Sequence, residues 1–199
     1  MWEDRYKAED GYLFGKAPAQ FLVENPGWLL PEARVLVVAD GEGRNSVHIA
    51  SKGADVTAFD LSPTAVARAD ALAEAEGVNV QTNLSDWGDW DWASKDFDLV
   101  VAVYIQFIGP GERGAQFANL KQAVRPGGIL MLHGYRPEQV ALGTGGPPRV
   151  ENMYTEEILG KYFGNWHIER LASYERDVQE GRGHAGKSAL IDLIARKPI

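Results

Sequence analysis

Short apolar runs alternate with helical patterns along the chain from residue 34 onward. Each of these segments is four to nine residues long, is mostly apolar and is followed by turn-forming residues. Near-continuous apolar runs of this length are typical of strands buried on both faces of a parallel sheet. The alternation therefore predicts β–α–β units with helices covering the sheet. The predicted strands cover residues 35–38, 56–59, 78–82, 97–105 and 129–133.

Two helices between these strands have clear sequence signals. Ser62 and Pro63 match an N-cap and a first helical position, and Gly77 ends the alanine-rich stretch that follows. A second helix carries an apolar stripe at i, i+3 and i+7 before a Pro-Gly-Gly stop. The stripe is formed by Phe117, Leu120 and Val124, and the stop lies at 126–128.

After the fifth predicted strand the pattern changes to a Gly/Pro-rich loop at 143–148 and a helix over 155–163. Two apolar segments follow, at 166–174 and 188–195, which we interpret as an antiparallel strand pair at the sheet edge. Residues 190–194 would also suit a helix, because periodicity does not separate the two in so short a run. The sequence thus predicts an α/β fold with three layers, in which a mostly parallel seven-stranded sheet ends in an antiparallel C-terminal edge hairpin.

Length, charge and composition limit the classes of function that the chain can have. The 199 residues suit one domain spanning 1–199. A net charge of −8 argues against a nucleic-acid partner, which needs a basic face. The lack of cysteine excludes disulfides, thiolate zinc sites and a thiol nucleophile, and the four histidines show no metal-ligand spacing. The longest apolar run has seven residues and no signal peptide is visible, so we expect a cytoplasmic protein without a membrane partner.

A glycine turn gives the first indication of a ligand. The strand at 35–38 runs into Gly41 and Gly43, and Asp60 follows 19 residues after Gly41. At this spacing a carboxylate accepts hydrogen bonds from ribose hydroxyls, which predicts a nucleoside-bearing cofactor at the carboxyl ends of the strands. Ser46 replaces the third glycine of a dinucleotide site and favours a mononucleoside. A tight strand-to-helix connection alone would produce the same turn.

Several motifs together resemble one enzyme family. The sequence is similar to the class I S-adenosylmethionine-dependent methyltransferases, and more narrowly to small bacterial enzymes of the tellurite-resistance and thiopurine-methyltransferase type. The resemblance implies a Rossmann-like sandwich with an N-terminal lid (1–30), a cofactor-binding core (34–135), and an acceptor loop followed by C-terminal strands (136–199). The motifs are WEDRY at 2–6, YLFG at 12–15, GEGRN at 41–45, GTGGP at 143–147 and EGRGHAG at 180–186.

The resemblance also implies the positions that bind S-adenosylmethionine. The turn passes under the methionine part, Asp60 holds the ribose, Asn83 and the Leu84 amide meet the adenine, and Tyr104 flanks the methionine end. The chain departs from the family pattern at Val37, where an acidic residue is common, and at Ala39, where a glycine is common. The nearest carboxylate that could bind the α-amino group of the cofactor is that of Asp40. The candidate cofactor-binding residues are Phe14, Gly15, Ala39, Asp40, Gly41, Gly43, Asn45, Asp60, Leu61, Asn83, Leu84 and Tyr104.

The expected acceptor is a small molecule such as a thiol, a chalcogen oxyanion or another soft nucleophile. The loop at 134–148 and the hairpin at 181–186 are expected to form its pocket. For an alcohol or phenol, His133 or His184 is the candidate base, and Arg136 would bind an anionic acceptor. For His133, a place in the core is an equally open interpretation.

Three other interpretations bear on function. Residues 181–188 fit the phosphate-loop pattern G-x-x-x-x-G-K-S, but only eleven residues follow Ser188, too few for the later magnesium-binding strand, so a Gly-rich hairpin is expected instead. A non-catalytic module that binds S-adenosylmethionine or S-adenosylhomocysteine would share the turn and carboxylate. A nicotinamide-dependent oxidoreductase would share them as well, but would predict a third glycine and a separate substrate domain. The chain is expected to be a monomer or a homodimer.

Overall fold

The computed structural model describes residues 2–93, 96–181 and 184–199. The strands form a mostly parallel, seven-stranded sheet with antiparallel C-terminal strands, which confirms the predicted fold class. The helices in these residues are α1 (Trp2–Lys7), α2 (Gln20–Glu24), α3 (Arg44–Ala50), α4 (Pro63–Glu76), α5 (Pro110–Ala123), α6 (Gln139–Leu142) and α7 (Glu156–Phe163). The strands are β1 (Arg34–Val38), β2 (Asp55–Asp60), β3 (Val80–Leu84), β4 (Phe97–Val103), β5 (Val124–Tyr135), β6 (His167–Glu180) and β7 (His184–Arg196).

The chain divides into two compact units. The first unit comprises residues 1–91 and 180–183, and the second comprises 92–179 and 184–199. None of the helices in the described part of the chain is long and apolar enough to cross a membrane.

The first unit contains three parallel strands in the order β3, β2, β1. Val38 lies opposite Phe59, and Asp60 lies opposite Leu84, so the three strands end at the same edge. The side chains of β1 from Val35 to Val38 are buried, as their continuous apolar run predicts. This shared edge carries the glycine turn after β1.

Helix α4 begins and ends where its sequence signals place it. The Ser62 hydroxyl accepts a hydrogen bond from the Ala65 amide, Pro63 takes the first helical position, and Gly77 ends the helix with a φ of +66°. The following strand starts later than predicted, at Val80 rather than Val78. The Val78 amide donates to the Ala73 carbonyl at 3.0 Å, so Val78 still belongs to the helix terminus.

The second unit contains β4, β5, β7 and β6 in that order. β4 and β5 are parallel, and β5 and β7 are antiparallel with His133 opposite Asp192. The run at 190–194, open between helix and strand in the sequence, is a strand. Both C-terminal strands are longer than predicted.

Two helices of the second unit follow their sequence signals with small differences. α5 ends at Ala123, before the predicted Pro-Gly-Gly stop, because Val124 already pairs with Phe97 in the sheet. Its stripe residues Phe117 and Leu120 are fully buried. α7 begins as predicted, with Thr155 accepting a hydrogen bond from the Ile158 amide at 3.2 Å.

Candidate functional site

The turn after β1 needs glycine because other parts of the protein approach it closely. Gly41 and Gly43 have φ angles of +65° and +88°. A Cβ on Gly41 would lie 2.8 Å from the Tyr6 hydroxyl, and one on Gly43 would lie 2.7 Å from the Ala69 Cα. Ala39 has the same left-handed conformation, with φ of +47°, despite its side chain. The first unit therefore packs both a tyrosine and helix α4 against this turn.

The Asp60 carboxylate is fixed by main-chain amides at the end of β2. One oxygen accepts from the Gly41 amide and the other from the Ser62 amide, both at 2.9 Å. Burial raises the pKa of this carboxyl, and the amide hydrogen bonds partly oppose the rise. Because a carboxylate oxygen has more than one acceptor position, each oxygen can also receive a hydroxyl hydrogen bond. This is the geometry that a ribose-binding carboxylate requires.

Asp40 is the second carboxylate of the turn. Its side chain accepts hydrogen bonds from the Ser46 amide, at 3.3 Å, and from the Ser46 hydroxyl. Burial raises the pKa of Asp40 to about 6, although Ser46 partly compensates. Ser46 thus replaces the third glycine of a dinucleotide turn with a hydroxyl that holds an acidic side chain.

A small hollow lies beside this turn, and it is far smaller than the roughly 300–1,000 Å³ of a typical ligand pocket. Leu61 and Leu84, which follow β2 and end β3, are 51% and 60% exposed. A carboxylate beside apolar surface fits a ribose joined to a base. The hollow is lined by Asp40, Gly41, Ala58, Phe59, Asp60, Val66, Ala69, Thr82 and Asn83.

Aromatic side chains extend the apolar surface at the end of β2. The Phe59 ring stacks on Trp90 with centroids 4.5 Å apart, and Trp87 meets the Phe59 edge at 6.1 Å. The Asn83 side-chain amide donates to the Gln81 and Ala58 carbonyls at 2.9 and 3.2 Å. These contacts fix the side chains next to the hollow.

The N-terminal helix is attached to the start of α4. Glu3 accepts hydrogen bonds from the Ser62 hydroxyl, from the Thr64 amide at 3.2 Å and from the Thr64 hydroxyl at 2.8 Å. These bonds, above all the one from Ser62, lower the pKa of Glu3 to about 2. Tyr6 on the same helix is buried over Gly41. Helix α1 therefore lies on the turn that is expected to bind the cofactor.

The segment after α1 is held by a buried carboxylate. Glu42 pairs with Arg68 at 2.7 Å and accepts a hydrogen bond from the Phe14 amide at 3.4 Å. Gly15, next to Phe14, has a φ of +70°. Both predicted lid residues thus lie in a segment tied to the glycine turn through Glu42.

Asn45, predicted to bind the cofactor, holds the N-terminal segment. Its side-chain oxygen accepts from the Ala19 amide at 2.9 Å. The neighbouring Arg44 pairs with the buried Glu180 at 2.8 Å, and Glu180 also accepts from the Gln20 amide at 3.0 Å. Through these contacts the start of α3 fixes residues 19 and 20.

A buried carboxylate organises the second unit. Asp192 on β7 lies 2.7 Å from His133 Nδ1 and accepts hydrogen bonds from Arg170, at 2.9 Å, and from the Tyr174 hydroxyl, at 3.0 Å. Burial alone would raise the pKa of Asp192, but His133, Arg170 and Tyr174 outweigh it and hold the pKa below its ordinary value. Asp192 is therefore a fully paired anion behind His133.

Tyr104 joins the two histidines that the sequence marked separately. Its hydroxyl lies 3.2 Å from His133 Nε2, and its ring stacks on His184 and Tyr135 with centroids 4.2 and 4.8 Å apart. The Tyr135 hydroxyl in turn lies 2.6 Å from His184 Nδ1. The structure thus places His133, His184 and Tyr104 in one aromatic and imidazole cluster.

The predicted acceptor loop packs against the start of β7. Gly145 forms an antiparallel bridge with His184, and the Thr144 hydroxyl donates to the Lys187 carbonyl. Arg136 pairs with the exposed Glu138 at 2.7 Å. Arg182 and Gly183, which belong to the phosphate-loop-like pattern and to the predicted hairpin, lie outside the described residues.

Sequence reasoning missed Asp192, and it missed that Ser46 holds Asp40 and that Glu3 holds the start of α4. Asp192 had a usable signal, because it is an acidic residue inside the apolar run at 190–194. A charge in a buried strand requires a partner. That partner, His133, is 59 residues away along the chain. Across the described ranges, no group of three or more acidic or histidine side chains could hold a metal ion.

Residues 35–128 match a family described as a methyltransferase domain. An uncharacterised protein of Mycobacterium tuberculosis is 32% identical over 146 residues, which cover 65% of this chain and 53% of that protein. The probable S-adenosyl-L-methionine-dependent methyltransferase TehB of Haemophilus influenzae is 25% identical over 176 residues, which cover 85% of this chain and 59% of that protein. This chain therefore spans little more than half of the length of these curated relatives.

The fold also has close counterparts among solved structures. One, from work on the conversion of a disulfide bond into a thioacetal group during echinomycin biosynthesis, superposes with a TM-score of 0.80 at 20% identity. It covers 99% of this chain, and 90% of that chain is matched. TehB from Haemophilus influenzae superposes with a TM-score of 0.72 at 20% identity, over 98% of this chain and 67% of that one. These likenesses confirm the predicted α/β fold.

Proposed function

We propose that the chain is a class I S-adenosylmethionine-dependent methyltransferase, which transfers the methyl group of S-adenosylmethionine to a small-molecule acceptor. The observation that carries this proposal is the Asp60 carboxylate, buried at the end of β2 and fixed by the Gly41 and Ser62 amides. A carboxylate oriented in this way binds a ribose diol through hydrogen bonds that strengthen with its negative charge.

We assign the cofactor to the edge of the first unit. Asp60 would hold the ribose, and Asn83 and Leu84 would flank the adenine together with Leu61. The turn from Ala39 through Gly41 to Gly43 would support the methionine part.

Of the two acidic residues in this turn, Glu42 already pairs with Arg68 at 2.7 Å, which leaves Asp40 for the α-amino group. Val37, at the usual acidic position, is apolar and only 1% exposed. Asp40 lies three residues later, with its carboxylate held by Ser46. We therefore assign amino-group binding to Asp40. Phe14 and Gly15 would close over the cofactor, and Asn45 would act by holding Ala19 beneath that segment.

Methyl transfer needs alignment more than acid–base chemistry. When bound, S-adenosylmethionine supplies a methyl group on a sulfonium sulfur, which is already an electrophile. The protein orients the acceptor lone pair in line with the bond that breaks, and such alignment can lower the barrier by about 7–11 kcal/mol. The acceptor class proposed is a thiol, a chalcogen oxyanion or another soft nucleophile. It would be held by His133, Arg136 and His184.

Calorimetry and a turnover assay test the proposal together. S-adenosylmethionine and S-adenosylhomocysteine are expected to bind to the purified protein, and NAD is not. Release of S-adenosylhomocysteine is then measured with small thiols, phenols and tellurite as acceptors. Binding of S-adenosylmethionine without turnover of any of these acceptors would indicate a non-catalytic binding module. Tight binding of NAD would indicate an oxidoreductase.

The acceptor side has its own test. A His184→Ala, Arg136→Ala double variant is expected to lose turnover while its affinity for S-adenosylmethionine stays within about two-fold. Unchanged turnover in this variant would remove both residues from the acceptor pocket.

A further inference from the structure

The hydrogen bonds between Asp192, His133 and Tyr104 have one direction when the imidazole is neutral. An ionised carboxylate only accepts hydrogen bonds, so the proton between His133 Nδ1 and Asp192 Oδ1 resides on the nitrogen. In the neutral imidazole, Nε2 is then an acceptor. The Tyr104 hydroxyl, 3.2 Å away, donates to it. Each proton in this hydrogen-bond network therefore points toward the Asp192 carboxylate.

Asp192 and His133, at the inner end of this hydrogen-bond network, are buried, and Tyr104, at its outer end, is less so. His133 and Asp192 are 2% and 1% exposed, whereas Tyr104 is only partly buried. Arg170 and Tyr174 fix the carboxylate from β6. Asp192 therefore lies where it can form an ion pair with His133 when the ring accepts a proton.

Tyr104 is held in an unusual backbone conformation at the end of β4. Its φ is +57°, a left-handed conformation that is unfavourable for a residue with a side chain. The Tyr104 amide donates to the His133 carbonyl at 2.8 Å, and its ring is stacked on both Tyr135 and His184. Backbone strain of this kind persists where the surroundings fix it and is concentrated at functional positions.

We propose that Tyr104, backed by His133 and Asp192, takes a proton from the methyl acceptor, and that the acceptor is therefore a molecule that is protonated at neutral pH, a thiol or phenol rather than an anion. This inference rests on the proposed function.

The step balances in protons and electrons. The acceptor gives its proton to the Tyr104 oxygen while Tyr104 passes its own proton to His133 Nε2. The acceptor lone pair forms the new bond to the methyl carbon. The bond between that carbon and the sulfonium sulfur breaks, and its electron pair stays on sulfur. His133 holds the proton as an imidazolium beside Asp192 and later releases it to water.

The acceptor class follows from acidity. Cysteine-like thiols and phenols ionise at about pH 8.5 and 10, so both are mostly protonated at pH 7 and gain from a base. A chalcogen oxyanion has an available lone pair without losing a proton. A base at Tyr104 would therefore not increase the rate of its methylation. Two thiols of different acidity separate these cases. Phenylmethanethiol is an alkyl thiol that is protonated at pH 7, and benzenethiol is a more acidic thiol.

The test compares three variants on both thiols, with tellurite as a third acceptor. Tyr104→Phe keeps the stacked ring and removes the hydroxyl. His133→Asn keeps a donor toward Asp192 and removes Nε2. The control, Tyr162→Phe, removes a phenol from α7, which takes no part in the hydrogen bonds described between Asp192, His133 and Tyr104. Turnover is measured as S-adenosylhomocysteine release, and thermal midpoints show that each variant is folded.

The proposal expects a selective loss. Tyr104→Phe and His133→Asn lower kcat with phenylmethanethiol about 100-fold or more, and with benzenethiol or tellurite only a few-fold. The remaining activity of Tyr104→Phe rises about ten-fold per pH unit, because only thiol that has already ionised reacts. The wild-type rate varies less with pH, because Tyr104 and His133 accept the proton of the un-ionised thiol. Tyr162→Phe stays within about three-fold on all three acceptors.

Other outcomes overturn the inference and can be told apart from failure of the proposed function. Equal losses with both thiols, or a loss in Tyr162→Phe as large as in Tyr104→Phe, would make the effect of Tyr104→Phe structural. Wild-type turnover on tellurite but on no protonated thiol or phenol would refute the acceptor class and keep the methyltransferase. Absence of S-adenosylmethionine binding, or binding without turnover on any acceptor, would refute the proposed function itself.

Discussion

Two buried aspartates, one in each unit, are held in opposite ways. Asp60 in the first unit is held by main-chain amides, and the pKa of its carboxyl is raised by burial. Asp192 in the second unit is held by the side chains of His133, Arg170 and Tyr174, and its pKa is lowered despite burial. Both are less than 10% exposed, so burial alone does not set the difference.

The comparison separates two uses of a carboxylate. An amide-held carboxylate has no cation to neutralise it and is suited to bind hydroxyl groups of a ligand. A carboxylate held by an imidazole and a guanidinium forms hydrogen bonds and ion pairs with those side chains. It is therefore suited to polarise one of them. In this protein the first arrangement fits cofactor binding and the second fits proton transfer.

Removing the carboxylate of the second unit is expected to have the largest effect. Asp192→Ala leaves the donors of His133, Arg170 and Tyr174 without their acceptor, and should lower the free energy of unfolding by about 3–5 kcal/mol at pH 7. Urea unfolding measures this loss. Asp177→Ala, on the exposed face of β6, is the control and should change it by less than about 0.5 kcal/mol.

The pH dependence sharpens the same prediction. Because the folded pKa of Asp192 is lowered, its stabilising contribution is present above the ordinary pKa of 3.8 and is lost as the pH falls through the folded pKa. The difference between the wild type and Asp192→Ala should therefore shrink below about pH 4. A difference that stays constant to pH 2 would mean that the charge of Asp192 does not stabilise the fold.

Removing the Asp60 carboxylate of the first unit should weaken the binding of S-adenosylmethionine. Asp60→Ala deletes hydrogen bonds from a charged acceptor to the ribose and is expected to weaken S-adenosylmethionine binding about 100-fold, or about 3 kcal/mol. Calorimetry measures the dissociation constant. Asp55→Ala, at the exposed start of the same strand, is the matched control. If both variants bind the cofactor with wild-type affinity, Asp60 does not hold the ribose.

Asp40 should show a pH dependence opposite to that of Asp192. The pKa of Asp40 is raised to about 6, so its contribution to cofactor-free stability is complete below the ordinary pKa of 3.8 and is lost as the pH rises through 6. Between pH 4 and 8 the wild type should lose about 2 kcal/mol relative to Asp40→Asn, as measured by urea unfolding.

With cofactor present, the sign for Asp40 reverses. Pairing with an α-amino group requires the ionised carboxylate, so wild-type affinity for S-adenosylmethionine should increase from pH 5 to 7. The same titration of Asp40→Asn should be nearly flat. Parallel curves for the two proteins would remove Asp40 from amino-group binding.

The smallest effect is expected at the N-terminal helix. Glu3→Gln weakens the hydrogen bonds to Ser62 and Thr64, and should increase the dissociation rate of S-adenosylmethionine about three-fold, since exposed charged contacts contribute little. Stopped-flow displacement measures the rate, with Glu76→Gln at the other end of α4 as control. Because the pKa of Glu3 is about 2, the effect should not vary between pH 5 and 8. An unchanged rate would show that α1 does not retain the cofactor.

The sequence was most informative where structure depends on near neighbours. Helix α4 begins at Ser62 and Pro63 and ends at Gly77 as predicted, because capping is local. β3 starts two residues late, because the helix terminus still uses the Val78 amide, and this depends on how the helix ends rather than on hydropathy.

The site depends on contacts that sequence spacing does not reveal. The separation between Gly41 and Asp60 is typical of nucleotide-binding turns, and their hydrogen bond follows from it. The pairing of His133 with Asp192 depends on the register of β5 with β7, which a single sequence does not define. The assignment of the candidate residues to cofactor and acceptor stays a prediction.

The buried pair between Arg44 and Glu180 has a consequence for synthesis on the ribosome. The first unit takes residues 1–91 and also the short return segment that begins at residue 180. Arg44 is 6% exposed, so a nascent chain that ends at residue 91 carries a buried guanidinium without its counter-ion. At about 5–20 residues per second, roughly 4–18 seconds pass before Glu180 is made. The first unit is therefore finished only after Glu180 has been made.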